Sequence, residues 1–172
     1  MADKSKTPKV LFLCTGHPER SEMAEGFLRK IAGGSVIPVS AAVDPAPVNP
    51  LAVDAMKEVG IDISGQEVKD IPTIFRERFA YAIGVGDESK ERCPVFPFAF
   101  RLFRWNLEDP AAVDGSNEER LAAFRRVRTQ IDHNVREFLG RLSDDQARIV
   151  PAGEFLKISV EFRGRLSSEG RP

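Results

Sequence analysis

The chain reads as an α/β protein, a parallel sheet flanked by helices on both faces, with a strand-containing C-terminal extension. Three observations predict this. Short apolar runs alternate with segments of helical periodicity along most of the chain. The first run, Val10 to Leu13, is bounded by a turn signal and then by a helical pattern, as a buried strand feeding a loop and a helix would be. Polar loops at Cys14, Asp87 and Asp109 follow candidate strands, on the side where parallel sheets bind ligands.

The elements follow in order. The strand at 9–13 leads to a helix from about Ser21 to Ala32, with Met23, Phe27, Leu28 and Ile31 at helical spacing and Gly33-Gly34 as its stop. Val36 to Ala42 is a second strand, in which Pro38 predicts an edge position or a bulge. In the turn-rich loop from Asp44, Asn49 is the cap of a helix opening at Pro50. Leu51, Ala52, Ala55, Met56 and Val59 give that helix one apolar face, and Gly60 ends it. A short helix is expected over Ile71 to Arg78, a third strand over Phe79 to Val85 and a fourth over Arg101 to Trp105. Between those strands, Cys93-Pro-Val-Phe-Pro is a rigid turn. Ser116 and Glu119 match a capping box, and a long helix runs from there to about Leu142 on the seam Leu121, Phe124, Val127, Ile131, Val135, Phe138 and Leu142.

Leu156 to Phe162 alternates apolar and polar residues, the pattern of a half-buried strand. It is expected to add to a sheet edge, in its own subunit or across a homodimer. The predicted division is a disordered leader at 1–8, a main domain at 9–142 and an extension at 143–172, with a disordered end from Arg163.

Bulk properties exclude several classes. A chain of 172 residues is long enough for one domain with a sizeable core. The formal net charge of −1 supplies no field for nucleic acid or anionic lipid. No apolar run reaches the length of a membrane span, and the first residues lack the apolar core of a signal peptide, so a cytoplasmic protein is expected. Two cysteines, Cys14 and Cys93, are too few for a disulfide-stapled fold, and in a reducing compartment such a pair is more often redox or catalytic. Two histidines and two cysteines without close spacing argue against structural zinc, and no cofactor is called for. His133 and the cluster Arg125, Arg126 and Arg128 read as solvated helix surface, and Trp105 as core.

The chemistry concentrates in Cys14-Thr-Gly-His-Pro-Glu-Arg20-Ser21, a Cys-x5-Arg-Ser motif between a strand and a helix. Such loops aim backbone N–H groups and a helix N-terminus at one point, which suits an oxyanion. Thr15, Gly16, His17, Glu19 and Arg20 are its candidate ligands. A helix N-terminus and a guanidinium lower a thiol's pKa, and the thiolate is the nucleophile. Arginine's fork matches two oxygens of a tetrahedral anion. Ser21 can hydrogen-bond the sulfur, and Asp109, stiffened by Pro110, is the candidate acid for a departing oxygen.

These residues resemble the low-molecular-weight protein tyrosine phosphatase superfamily, and within it the thioredoxin-coupled arsenate reductases. The resemblance covers roughly 9–141. It rests on Val10 to Gly16, Arg20 to Gly26, Val48 to Ser64, Cys93-Pro-Val-Phe-Pro97, Trp105 and Asp109-Pro110-Ala111. It implies a four-stranded parallel sheet, with Cys14 as nucleophile, Arg20 as oxyanion clamp and Asp109 as general acid. The reductase branch is favoured because Cys93 sits in a Cys-Pro-x-x-Pro turn similar to the reductases' redox segment. Ala111 also stands where many phosphatases carry a tyrosine. So read, Cys14 attacks arsenate, Cys93 resolves the adduct, and thioredoxin or a small thiol reduces the disulfide.

The chain departs from the family pattern at four places. His17 replaces an asparagine, Pro18 removes a backbone N–H, and Glu19 sets a carboxylate beside the clamp. Facing an anion at about 5 Å, that carboxylate would repel it by roughly 3 kcal/mol per unit charge at an effective dielectric of about 20. Val85 stands where the first of the reductases' two further thiols belongs, leaving Cys93. Two other readings therefore stand beside arsenate reduction. One is hydrolysis of phosphomonoesters through a phosphocysteine; the other is a catalytically degenerate oxyanion-binding or regulatory protein.

Overall fold

The computed structural model describes residues 7–87 and 99–147, without the side chains of 145–147. The predicted turn at Cys93 and the predicted strand at Leu156 to Phe162 lie outside the described residues. The chain divides into two compact units, Met1–Glu137 and Phe138–Pro172, and of the second only the end of the last helix is described.

The first unit is built on a parallel sheet of strands β1 (Lys9–Cys14), β2 (Ile37–Ala42), β3 (Lys69–Asp70), β4 (Phe79–Gly86) and β5 (Ala99–Asn106). The strand order is β3-β2-β1-β4-β5, with every pairing parallel. Among the described residues the sheet thus has five strands, not the four expected. The additional strand is β3, two exposed residues that pair with Ala41 and Ala42, too short to carry an alternating pattern. Helices α1 (Glu19–Ala32), α2 (Pro50–Lys57), α3 (Ile71–Ile74) and α4 (Asn117–Ala147) complete the described elements. α3 is shorter than the predicted helix to Arg78, α1 starts before Ser21, and α4 runs past Leu142.

β1 is central, and its last five residues are buried. Leu11 and Leu13 leave one face and pack with Ala41, Ala82, Phe79 and Ile74 of α3. Phe12 leaves the other, where its ring lies 5.6 Å from that of the half-buried Trp105. Pro38 behaves as an edge residue. Ile37 N–H donates toward β1, to the Pro8 carbonyl, so position 38 points outward, where β3 pairs only with Ala41 and Ala42.

Three helix ends follow the sequence signals, whereas α2 stops at Lys57, ahead of the expected Gly60. Asn49 Oδ1 accepts from Leu51 N–H at 2.9 Å to cap α2. Ser116 and Glu119 form the reciprocal capping box, at 2.8 and 3.2 Å, that opens α4. Gly33, at φ 56°, ends α1 in the left-handed region. Along α4, Phe124, Val127, Ile131 and Val135 are fully buried. Arg125 and Arg128 are not merely solvated, as expected. Both pair with Glu58 at the C-cap of α2, and hold its carboxyl down at about 2. His133 is exposed, as read. Among the described residues, no helix is long and apolar enough to cross a membrane.

Candidate active site

Parallel strands deliver their loops to one rim, and Cys14, Arg20 and Asp109 lie at that end of the sheet. Cys14 ends β1 and is fully buried. Its Sγ lies 3.2 Å from the carbonyl oxygen of Val85, near the end of β4. A carbonyl can only accept, so this contact is that of the protonated thiol, and ionisation would remove it. The Cys14 carbonyl in turn accepts from Val43 N–H at 3.3 Å, which ties the loop after β2 to the same point.

The chain leaves Cys14 through Thr15, Gly16, His17 and Pro18 into α1. His17 takes a left-handed backbone, φ 25°, which histidine tolerates better than most residues, and its side chain is exposed. Pro18 is the N-cap position, and no side chain caps α1. Ser21 Oγ donates to the Pro18 carbonyl at 2.8 Å, so the hydroxyl proton braces the loop and is not directed at the Cys14 sulfur.

Arg20 is the largest fully buried side chain among the described residues, 1% exposed. Its Nη1 donates to the carbonyl oxygen of Leu107 at 2.9 Å, just beyond β5. Leu107 N–H itself donates to Gly86 O at 2.9 Å, which carries the ladder past the strand ends. The guanidinium therefore joins the start of α1 to the segment bearing Asp109. Asp109 is half-buried and caps a single 3₁₀ turn, Pro110–Ala112, its Oδ1 accepting from Ala111 N–H at 2.9 Å. That bond orients the carboxyl. Cys93 lies outside the described residues.

Glu19 turns toward the loop before α2. It is buried, and its Oε1 accepts from Asn49 Nδ2 at 3.2 Å. Behind it, Glu22 is 0% exposed, and neither carboxyl oxygen has a hydrogen-bond partner among the described residues. Burial pushes its pKa up to about 8, and the Glu19 and Glu25 carboxylates add to the rise. Glu25 is satisfied by Arg29 and Ser40. The sequence reading missed Glu22 and the two backbone acceptors, Val85 and Leu107. The one signal for Glu22 was the three-residue spacing of Glu19, Glu22 and Glu25, which stacks them along one side of a helix.

The family model for low molecular weight phosphotyrosine protein phosphatase matches residues 9–148. The chain belongs to this family. Among its named relatives are arsenate reductases from Bacillus subtilis (strain 168), 37% identical, and Halalkalibacterium halodurans, 38% identical. Each match spans 129 residues, 75% of this chain and 93% of the relative. A solved structure described as an arsenate reductase in the phosphate binding state superposes with a TM-score of 0.66 at 30% identity, covering 78% of this chain and 98% of that one. A low molecular weight protein tyrosine phosphatase from T. tengcongensis shares the fold, with a TM-score of 0.61 at 23% identity over 78% of this chain and 99% of its own. As in these family members, helices flank a parallel sheet in the described chain.

Proposed function

We propose that the protein reduces arsenate to arsenite through the Cys14 thiolate. It is an enzyme of one of two kinds, arsenate reductase or phosphatase, as its family and named relatives indicate. The observation that carries the choice is the match to curated arsenate reductases over 93% of their length. The site chemistry supports it. Cys14 and Arg20 flank one loop, and Arg20 reaches the segment that carries Asp109.

In this reading Arg20 and the loop N–H groups bind the arsenate oxygens, and Cys14 attacks arsenic. Asp109 gives its proton to the departing oxygen, which leaves as water. A second thiol then attacks the Cys14 sulfur and breaks the S–As bond. The bonding pair stays on arsenic, which passes from the pentavalent to the trivalent state, and two thiols become a disulfide. Cys93 is the resolving thiol of this chain, since valine occupies position 85. Thioredoxin or a small thiol returns the disulfide to the reduced state.

The second reading, phosphomonoester hydrolysis, draws on that same valine. Position 85 is valine and its backbone lies against Cys14 Sγ, and hydrolysis needs no resolving thiol. Assays of Cys93→Ser separate the two. Arsenite production that is lost in this variant supports reduction. Hydrolysis of an aryl phosphate that survives it, with no arsenite formed by the parent protein, supports the phosphatase. Absence of both activities in the parent supports a degenerate oxyanion binder.

A further inference from the structure

Glu22 is the one titratable side chain among the described residues that is fully buried with no hydrogen-bond partner on either oxygen. It sits in the first turn of α1, and its own N–H donates to the Pro18 carbonyl of the loop at 2.9 Å. The charged groups acting on it are Glu19 and Glu25, both from its own helix. Among the described residues, the hydrogen bonds that neighbouring elements make to this set come from neutral groups: Ser40 of β2 on Glu25, Asn49 on Glu19, and Gln66, whose Nε2 donates to the Glu22 backbone carbonyl. An arginine does meet Glu25, but none of the ion pairs given by the structure involves Glu22.

A doubly charged oxyanion on the loop would add negative charge at the N-terminal end of α1, whose first turn holds Glu19 and Glu22. Of the two, Glu22 lacks any donor that stabilises its ionised form, so it is the group that gives way by taking a proton. We propose that oxyanion binding at the Cys14 loop is proton-coupled, with Glu22 as the group that takes up the proton. This rests on the loop being the oxyanion site. Under it, the affinity for a dianion falls as Glu22 ionises, by up to about tenfold for each unit by which the bound anion raises its pKa.

Sulfate is the probe, because it does not itself titrate in this range. Cys14→Ser is the background, which takes the Cys14 thiol out of the proton count, and the window is pH 7.5 to 9.5. Calorimetry in buffers of different ionisation enthalpy counts the protons taken up with sulfate. The expected result is uptake of a substantial fraction of a proton near pH 8.5, and a sulfate affinity that weakens several-fold across the window. Adding Glu22→Gln removes both effects; Glu22→Met serves equally if the amide variant does not fold. Sulfate binding without proton uptake, or uptake that persists without the Glu22 carboxyl, overturns the proposal and leaves the oxyanion site standing. No sulfate binding at any pH overturns both.

Discussion

Arg20 Nη1 donates to the carbonyl oxygen of Leu107 at 2.9 Å, a bond between the first turn of α1 and the residue after β5. It carries a cation into a fully buried position and fixes the separation between the nucleophile loop and the Asp109 segment. A lysine is a point charge without the planar fork. Arg20→Lys is therefore expected to lower turnover at least about 100-fold, the scale for loss of one preorganised oxyanion donor. Arg20→Ala should also leave the Leu107 carbonyl short of a donor and cost about 1–3 kcal/mol of stability. Steady-state assays and urea melts check the two effects separately. Turnover in Arg20→Lys equal to that of the parent would remove Arg20 from the clamp role.

Cys14 combines complete burial with a contact to β4, the carbonyl oxygen of Val85. Serine keeps a donor for that carbonyl at nearly the same volume, so Cys14→Ser should fold with little change in melting temperature. It should have no detectable turnover of either arsenate or an aryl phosphate, because a serine hydroxyl ionises far less readily than a thiol and is a weak nucleophile at its free pKa. Residual activity of more than a few per cent of the parent's would place the nucleophile elsewhere.

Much of this architecture was readable because the deciding signals are local. The apolar run Val10 to Leu13, the Asn49 cap ahead of Pro50, and the Ser116/Glu119 box each act within a few residues, and each forms as read. β3 escaped because two residues cannot display a period, and its existence depends on where β2 happens to end. The Glu58 pairs escaped because they join residues 67 and 70 positions apart. At the site, the residue types Cys14, Arg20 and Asp109 were visible. The acceptors that hold the first two, Val85 O and Leu107 O, are backbone atoms, which no side-chain pattern encodes. Burial of Glu22 was hidden for a related reason. Amphipathic reading places a glutamate on the wet face of a helix, whereas every residue from Glu19 to Leu28 of α1 is buried.

Glu22 gives the protein a pH dependence of stability whose sign is set. Its folded pKa of about 8 lies above its ordinary value of 4.5, so between those values the folded form holds a proton that the unfolded form has lost. The stabilising contribution is full below 4.5, shrinks as pH rises, and is gone above about 8. Glu22→Gln cannot titrate and should lack this decline. Relative to the parent, its unfolding free energy should gain on the order of a few kcal/mol between pH 5 and about 9. Denaturant melts across that range measure it. A difference between the two proteins that stays constant with pH would mean that Glu22 ionises normally in the folded state.

Gly26 lets α1 pack closely against the segment after α2. A Cβ there would stand 2.8 Å from Ile63 Cγ2, 3.2 Å from Ile61 Cγ2 and 3.3 Å from Gln66 Oε1. Two effects compete in Gly26→Ala. Alanine is the better helix former by about 1 kcal/mol, while overpacking typically costs about 1–3 kcal/mol. The clash should win. The nearest atom is the branch methyl of a fully buried isoleucine, held close to its own backbone and stiff at χ1, and a flexible chain end would yield more easily. Net destabilisation of about 1–2 kcal/mol is expected, read from the urea midpoint. Because Gln66 Nε2 also donates to the Glu22 carbonyl, pushing this segment outward loosens the helix turn that carries Arg20 and Ser21. Turnover should fall with stability, although Gly26 touches neither Cys14 nor Arg20 in any bond described above. A Gly26→Ala protein that is more stable than its parent would mean that α1 can shift away from Ile63, and that its position over the loop is not fixed by this contact.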